Sequence, residues 1–500
     1  MNISPKNDMK KKIDRSRIIE SVWQFGCCGG EEFARELHFK EDGSIRTDSL
    51  IGEKYWNIEE DKIHLSDEDG KILSFTLSGD EVSGFILYAN HWANKSMRLY
   101  LLETPKFIFQ KYENLRINYL KKELKIKSVK KSINLQGTLS HLHSCHLLEE
   151  KDPFLCQKPH KSFADQSFED LDKSLSKEGL SKNGIYYSSN KLRVHMCTIK
   201  NGYFFVGNGL DGAIFTEDFH PVEYTTLFNK HPGLGVNENT PVDIDVLSEL
   251  DEAFIGFDFF WGNYFHFLNF SLAKSYMAKI FLGDNIPIVF PDCDKQNEHW
   301  SAYSNKVRDQ AFEFSGLNKN LRLLPKGAYK VKKLHFLMID PSHAWAIMFS
   351  DGLTSLYNAM ARHARRSDSI GKKVYIARGK NVNARTSGIA NSAIAEAAGS
   401  HNFVQTSFEN MDLQQQISIS KYAEQFISPH GAGLTNILFN PGCLKVLEIN
   451  KKLDGVENGY RPCFYMASAA RGHDYYMLDS DTLDKSPWQA NSALQAMKML

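Results

Sequence analysis

Residues 423–449 constrain the fold more than any other stretch of the 500-residue chain. An apolar run from Ala423 to Ile427 leads into Ser428-Pro429-His430-Gly431-Ala432-Gly433-Leu434-Thr435-Asn436. Leu438-Phe439-Asn440-Pro441-Gly442 and a second apolar run from Leu444 to Ile449 follow. The order is strand, glycine turn, short helix, Pro-Gly stop, strand. Gly431 and Gly433 carry no Cβ, so a ligand can come close to the backbone there. Thr435 and Asn436 stand where a new helix leaves N–H groups unpaired, a setting suited to a diphosphate. Glu448 closes the second strand, where a carboxylate can accept both hydroxyls of a ribose. The competing reading is a tight strand-to-helix turn without a ligand.

Strands and helices alternate on both sides of this stretch. Lys373 to Ala377, Phe403 to Thr406, Ala423 to Ile427 and Leu444 to Ile449 are expected strands, with helices over Ser392 to Ala398 and Asp412 to Ser420. Upstream, strands are expected at Leu192 to Cys197, Tyr203 to Val206, Ala213 to Thr216, Ala253 to Gly256, Ile286 to Phe290 and Leu334 to Ile339. A long amphipathic helix is expected from Gly352 to Arg366. Such alternation predicts α/β architecture with doubly wound parallel sheets, broken near 366–372. The expected organisation is a β-rich module over 1–105, an irregular region over 106–190, and two α/β domains over 191–370 and 371–500.

The first module rests on short alternating runs between turns, such as Arg35 to Phe39 before Glu41-Asp42-Gly43, and Lys62 to Leu65 before Asp67-Glu68-Asp69-Gly70. Asp-Gly between such runs signals hairpins. In the second region Lys121, Lys122, Lys125, Lys127, Lys130 and Lys131 form a basic run that would suit an anionic membrane surface or a solvated helix face. His141, His143, Cys145 and His146 match no standard zinc spacing. The net charge is +0, which gives no general argument for nucleic acid. The 8 cysteines show no paired framework, and Met1 to Arg17 lacks the apolar core of a signal peptide. The expectation is reduced thiols in a cytosol. No apolar run is long enough for a membrane-spanning helix.

Three segments carry a resemblance. They are Trp261-Gly262-Asn263-Tyr264-Phe265-His266-Phe267-Leu268-Asn269-Phe270, Val374-Tyr375-Ile376-Ala377-Arg378 with Arg385 and Asn391, and the Ser428 to Asn436 stretch. Over roughly residues 190–480 the chain resembles the family 61 glycosyltransferases, and the third segment is the specific one. Asn269 stands where that family often has an acid, and Ser392 where it has Glu. The resemblance implies a GT-B architecture, two Rossmann-type domains facing a cleft, and sugar transfer with inversion. It also implies a nucleotide-sugar donor in the C-terminal domain and an acceptor in the domain before it. Family members from eukaryotes carry a signal or an anchor. The expectation here is a bacterial cytoplasmic enzyme, peripheral to the inner membrane, acting on a capsule, O-antigen or related glycan or its lipid-linked precursor.

The chemistry then distributes itself. Arg378, directly after a strand, can hold phosphate bidentately, with Arg385 beside it. His430, Gly431, Ala432, Gly433, Thr435, Asn436 and Glu448 complete the expected donor site. His266 is the candidate base, with Asp258 the second candidate, and Asn263 and Asn269 lie on the acceptor side. No metal or cofactor is expected. Two other readings stay open. One is a non-catalytic binding scaffold of the same fold. The other is a metal-dependent GT-A transferase using Asp292 and Asp294 of the strand-end sequence Pro291-Asp292-Cys293-Asp294.

Overall fold

A computed structural model describes residues 15–499 apart from 21, 28–31, 48–50, 52, 60–61, 71, 78–85, 91–97, 105–141, 152–154, 157–180, 183–184, 188–191, 208–210, 218–221, 223–245, 259, 284, 293–301, 341–343, 367–370, 378–387, 443, 452–459 and 462. The lysine run and His141 lie outside the described residues.

The first eight strands, between Val22 and Thr104, form one antiparallel sheet in which neighbours in sequence are neighbours in space. The strand Val22–Cys27 pairs with both Glu32–Phe39 and Arg98–Thr104. The two ends of the sheet also meet. Ile45 N–H donates to the Lys54 carbonyl and Trp56 N–H to the Gly43 carbonyl, each at 2.8 Å. Ser44 and Tyr55 form a bridge between the same ends. The sheet therefore closes on itself as an up-and-down barrel, which removes its free edges. An interior enclosed by eight strands is narrow enough for side chains to fill. It is filled by buried Trp23, Phe25, Leu37, Phe39, Trp56, Ile63, Leu65, Leu73, Phe75 and Leu101. The period-2 pattern is the cause: in Lys62–Ser66 the inward residues are Ile63 and Leu65. Gly43 and Gly70 take the left-handed turn conformation at φ 83° and 77°.

The central sheet is mixed. Leu192–Val206 pairs antiparallel with Leu142–Lys151 and with Gly327–Asp340. Gly327–Asp340, Val246–Ile255, Ile288–Pro291 and Leu321–Leu324 then run parallel in that order. The fully parallel sheet expected for residues 191–370 is corrected here. The two strands read at 192–197 and 203–206 are one long strand that turns no corner, so no helix crosses between them and the pairing is antiparallel. His143 and Cys145 alternate with His146 along Leu142–Lys151, on opposite faces of the strand. No group of His, Cys, Asp or Glu suited to a metal occurs among the described residues.

The C-terminal sheet is parallel throughout. Its spatial order is Val404–Thr406, Lys373–Ile376, Gln425–Pro429, Lys445–Asn450, Asp474–Asp479. In chain order this is 2-1-3-4-5, so the winding direction reverses between Lys373–Ile376 and Gln425–Pro429. One face packs on the helices Gly388–Ser400, Ser480–Lys485 and Gln489–Met499. The other joins the central sheet in a single continuous apolar core, in which Leu413, Ile417, Ile437 and Phe439 meet Leu268, Leu353 and Tyr357. The helix Leu413–Tyr422 starts with a capping box from Asp412 and Gln415. No helix among the described residues is long and apolar enough to cross a membrane.

Candidate functional site

Ligands of open parallel sheets lie at the carboxyl ends of the strands, where the winding direction reverses. Gln425–Pro429 ends there, and His430 follows with its N–H bonded to the Ile449 carbonyl at 2.8 Å. Gly431 then caps a 3₁₀ helix, Ala432–Phe439. The expected helix is present but wound more tightly than an α-helix. Gly431, Ala432 and Gly433 are half-exposed, whereas the rest of that helix is buried. A Cβ added at Gly433 would sit 3.5 Å from Phe408 and 3.6 Å from Ile376, ordinary contact distances. Packing alone thus does not require glycine at 433.

Behind the turn lies a buried polar group. Glu448 is 0% exposed, and its Oε1 lies 2.5 Å from Nδ1 of His430. Its Oε2 accepts from the Tyr475 hydroxyl at 2.5 Å. The His430 ring meets Phe464 edge to face at 5.2 Å. Both oxygens of Glu448, the residue expected at a ribose, are engaged within this buried group. Thr435 and Asn436 also face inward. Asn436 donates to the Gly433 carbonyl and to Gln416, and accepts from the Tyr264 hydroxyl at 2.7 Å. Arg378 and Arg385 lie outside the described residues.

The facing elements come from the central domain. Asn263 is the N-cap of the helical turn Tyr264–His266; its side chain accepts from Phe265 N–H and His266 N–H. A π-helical stretch, Phe267–Leu272, follows and leads into Ala273–Leu282. His266 is partly exposed and stacks between Phe260 and Phe270, at centroid distances of 5.0 and 5.5 Å. Burial pushes its pKa below the usual histidine value, against the opposing charge of Asp258.

Asp258, the second candidate base, and Asn269, expected on the acceptor side, both lie in the interior. Asp258 is fully buried; it accepts from Phe260 N–H at 3.0 Å and lies 3.5 Å from the buried Lys274 ammonium. Asn269 is likewise fully buried and accepts from the Tyr357 hydroxyl at 2.7 Å. Neither side chain reaches a surface where an acceptor could stand. Asp292 is exposed at its strand end, and its expected partner Asp294 lies outside the described residues.

Aromatic contacts join the two halves. Phe265 meets Phe464 edge to face at 5.4 Å, and Tyr357 meets Phe439 at 4.7 Å. His266 touches Phe265 and His430 touches Phe464, so both histidines border the seam between the central and C-terminal sheets. Residues 245–447 match the family model Glycosyltransferase 61. The match covers less than half of the chain and makes this segment similar to that family. It runs from the strand Val246–Ile255 to Leu447, and so takes in both histidines and the Gly431 turn. No curated protein matches the chain. Sequence reasoning did not find Tyr264, Phe464, Gln416 or Tyr475. Nothing in their local sequence marks them, because each acts through a partner distant in the chain.

Proposed function

We propose that the protein transfers a sugar, with inversion, from a nucleotide-sugar donor to a bacterial surface glycan or its lipid-linked precursor. The observation that carries this reading is the half-exposed Gly431-Ala432-Gly433 turn at the reversal point of a parallel sheet, inside the segment that matches the family. The donor diphosphate lies against the N–H groups of this turn. Arg378, which follows the neighbouring strand in sequence, and Arg385 supply positive charge for the same phosphates. The acceptor approaches from the side of Asn263 and His266, in a GT-B-like arrangement of the two α/β halves. The aromatic seam limits water, which would otherwise hydrolyse the donor.

Leaving-group charge is carried by cations and backbone N–H groups, so turnover persists in EDTA. The enzyme works in the cytoplasm, at the inner membrane where lipid-linked acceptors are presented. Calorimetry with UDP, GDP, CDP and CMP tests the donor site. One of these should bind wild type and bind Gly433→Val poorly, since the larger side chain crowds the turn. If no nucleotide binds, or the variant binds equally well, the donor assignment is wrong. Loss of turnover in EDTA, restored by Mn²⁺ and abolished by Asp292→Ala, would replace it with the Asp-x-Asp reading. Binding without nucleotide release from any nucleotide sugar would favour a scaffold.

A further inference from the structure

The buried group formed by His430, Glu448 and Tyr475 has no part in holding the donor as described above. Its hydrogen bonding has a direction. Tyr475 O–H donates to one oxygen of Glu448, so that oxygen is an acceptor. An ionised carboxylate only accepts, so the short contact to His430 places the hydrogen on Nδ1. The lone pair of the neutral ring is then on Nε2. A carboxylate that fixes the tautomer of an imidazole also stabilises the imidazolium formed when the ring takes up a proton.

His266 is set differently. It sits between two phenylalanine rings, where burial disfavours the charged ring. The carboxylate nearest in charge, Asp258, already binds Phe260 N–H and faces Lys274. His430 directly precedes the glycine turn and borders the same seam through Phe464. The anomeric carbon of a donor is one oxygen away from the diphosphate, so it lies close to that turn.

We infer that His430, oriented by Glu448 and Tyr475, is the base that takes the acceptor proton in the transfer reaction. The inference rests on the transferase reading above. The acceptor oxygen forms its bond to the anomeric carbon as the bond from that carbon to the diphosphate oxygen breaks. The electron pair of the broken bond leaves with the diphosphate, and the hydroxyl proton passes to Nε2 of His430. Glu448 and Tyr475 are positioning residues, since neither touches substrate.

The test combines two measurements on the full chain. Histidine ¹⁵N NMR of the free protein should show His430 with hydrogen on Nδ1, and Glu448→Gln should change that signal. A hydrogen on Nε2 alone in wild type overturns the inference whatever the donor proves to be. Release of nucleotide from a panel of UDP-, GDP- and CMP-sugars, with water as acceptor, supplies the kinetic arm. Glu448→Gln, which keeps the side-chain shape, should cut kcat by about 10²-fold or more, within the range of general-base effects. Nucleotide affinity should stay within about threefold on the same view, so the loss falls on kcat alone. Tyr475→Phe should have a smaller effect in the same direction. Weakened nucleotide affinity with an unchanged kcat would make His430 a phosphate ligand and sink the inference. Absence of nucleotide binding to wild type would instead bring down the transferase reading itself.

Discussion

The two histidines at the seam are alike in sequence and opposite in setting. Each lies next to a glycine-containing turn, His266 after Gly262-Asn263 and His430 before Gly431. His266 is held by aromatic faces, and its charged form is disfavoured. His430 is held by a buried carboxylate that a tyrosine hydroxyl also grips. Sequence position alone favours His266 as base because it lies on the acceptor side. The surroundings favour His430. An imidazole's usefulness as a base depends on what stabilises its proton, and that partner is 18 residues away for His430.

The largest expected effect tests this contrast directly. His430→Ala should reduce nucleotide release by about 10²–10⁴-fold, and His266→Ala by less than about tenfold, measured as kcat on the same donor. The reverse order would return the base to His266. Next in size is Asp258→Ala, which leaves the Lys274 ammonium buried without its counter-charge. Thermal or urea unfolding should show a loss of about 3 kcal/mol. If Asp258→Asn instead keeps full stability and abolishes turnover, Asp258 is catalytic after all.

A smaller effect is expected at Tyr357→Phe. Removing the hydroxyl takes the donor from the buried Oδ1 of Asn269, at a cost of about 1–3 kcal/mol in urea unfolding. Nucleotide affinity and acceptor KM should not move; a change in KM would restore Asn269 to the acceptor site. The smallest effect uses a third carboxylate as control. Glu149 accepts from Ser350 and from Asp351 N–H at the start of the helix Asp351–Ala361. Burial, with the Asp351 charge second, pushes it up to about 7 from 4.5. A raised carboxyl pKa means that the folded state binds the extra proton. Its stabilising contribution is therefore full below about 4.5 and lost as pH rises through about 7. The melting temperature of wild type should fall across that window more than that of Glu149→Gln. Turnover of the variant should match wild type, unlike that of Glu448→Gln.

Local pattern made several parts of this molecule legible. Ile63 and Leu65 point inward because a strand alternates faces, and Gly43 and Gly70 mark turns because only glycine enters that backbone region cheaply. The strand, glycine turn and strand of residues 423–449 follow from the same rules and lie close to their expected positions. The strand Asp474–Asp479 was not legible, although it carries Tyr475. Its neighbours decide it, because it gains its backbone partners only beside Lys445–Asn450.

Sequence by itself determined where the backbone turns and which faces are apolar, since sterics and side-chain period act over a few residues. It also brought His266, His430 and Glu448 into view as chemically able groups. Tertiary structure alone decided the mixed pairing of Leu192–Val206 and the closure of the barrel between Ile45 and Lys54. It also decided the direction in which each polar side chain points. Asp258, Asn269 and Glu448 all turned inward, to Lys274, Tyr357 and the pair His430 and Tyr475. A buried polar atom must find a partner, and the nearest one in space is seldom the nearest one in the chain.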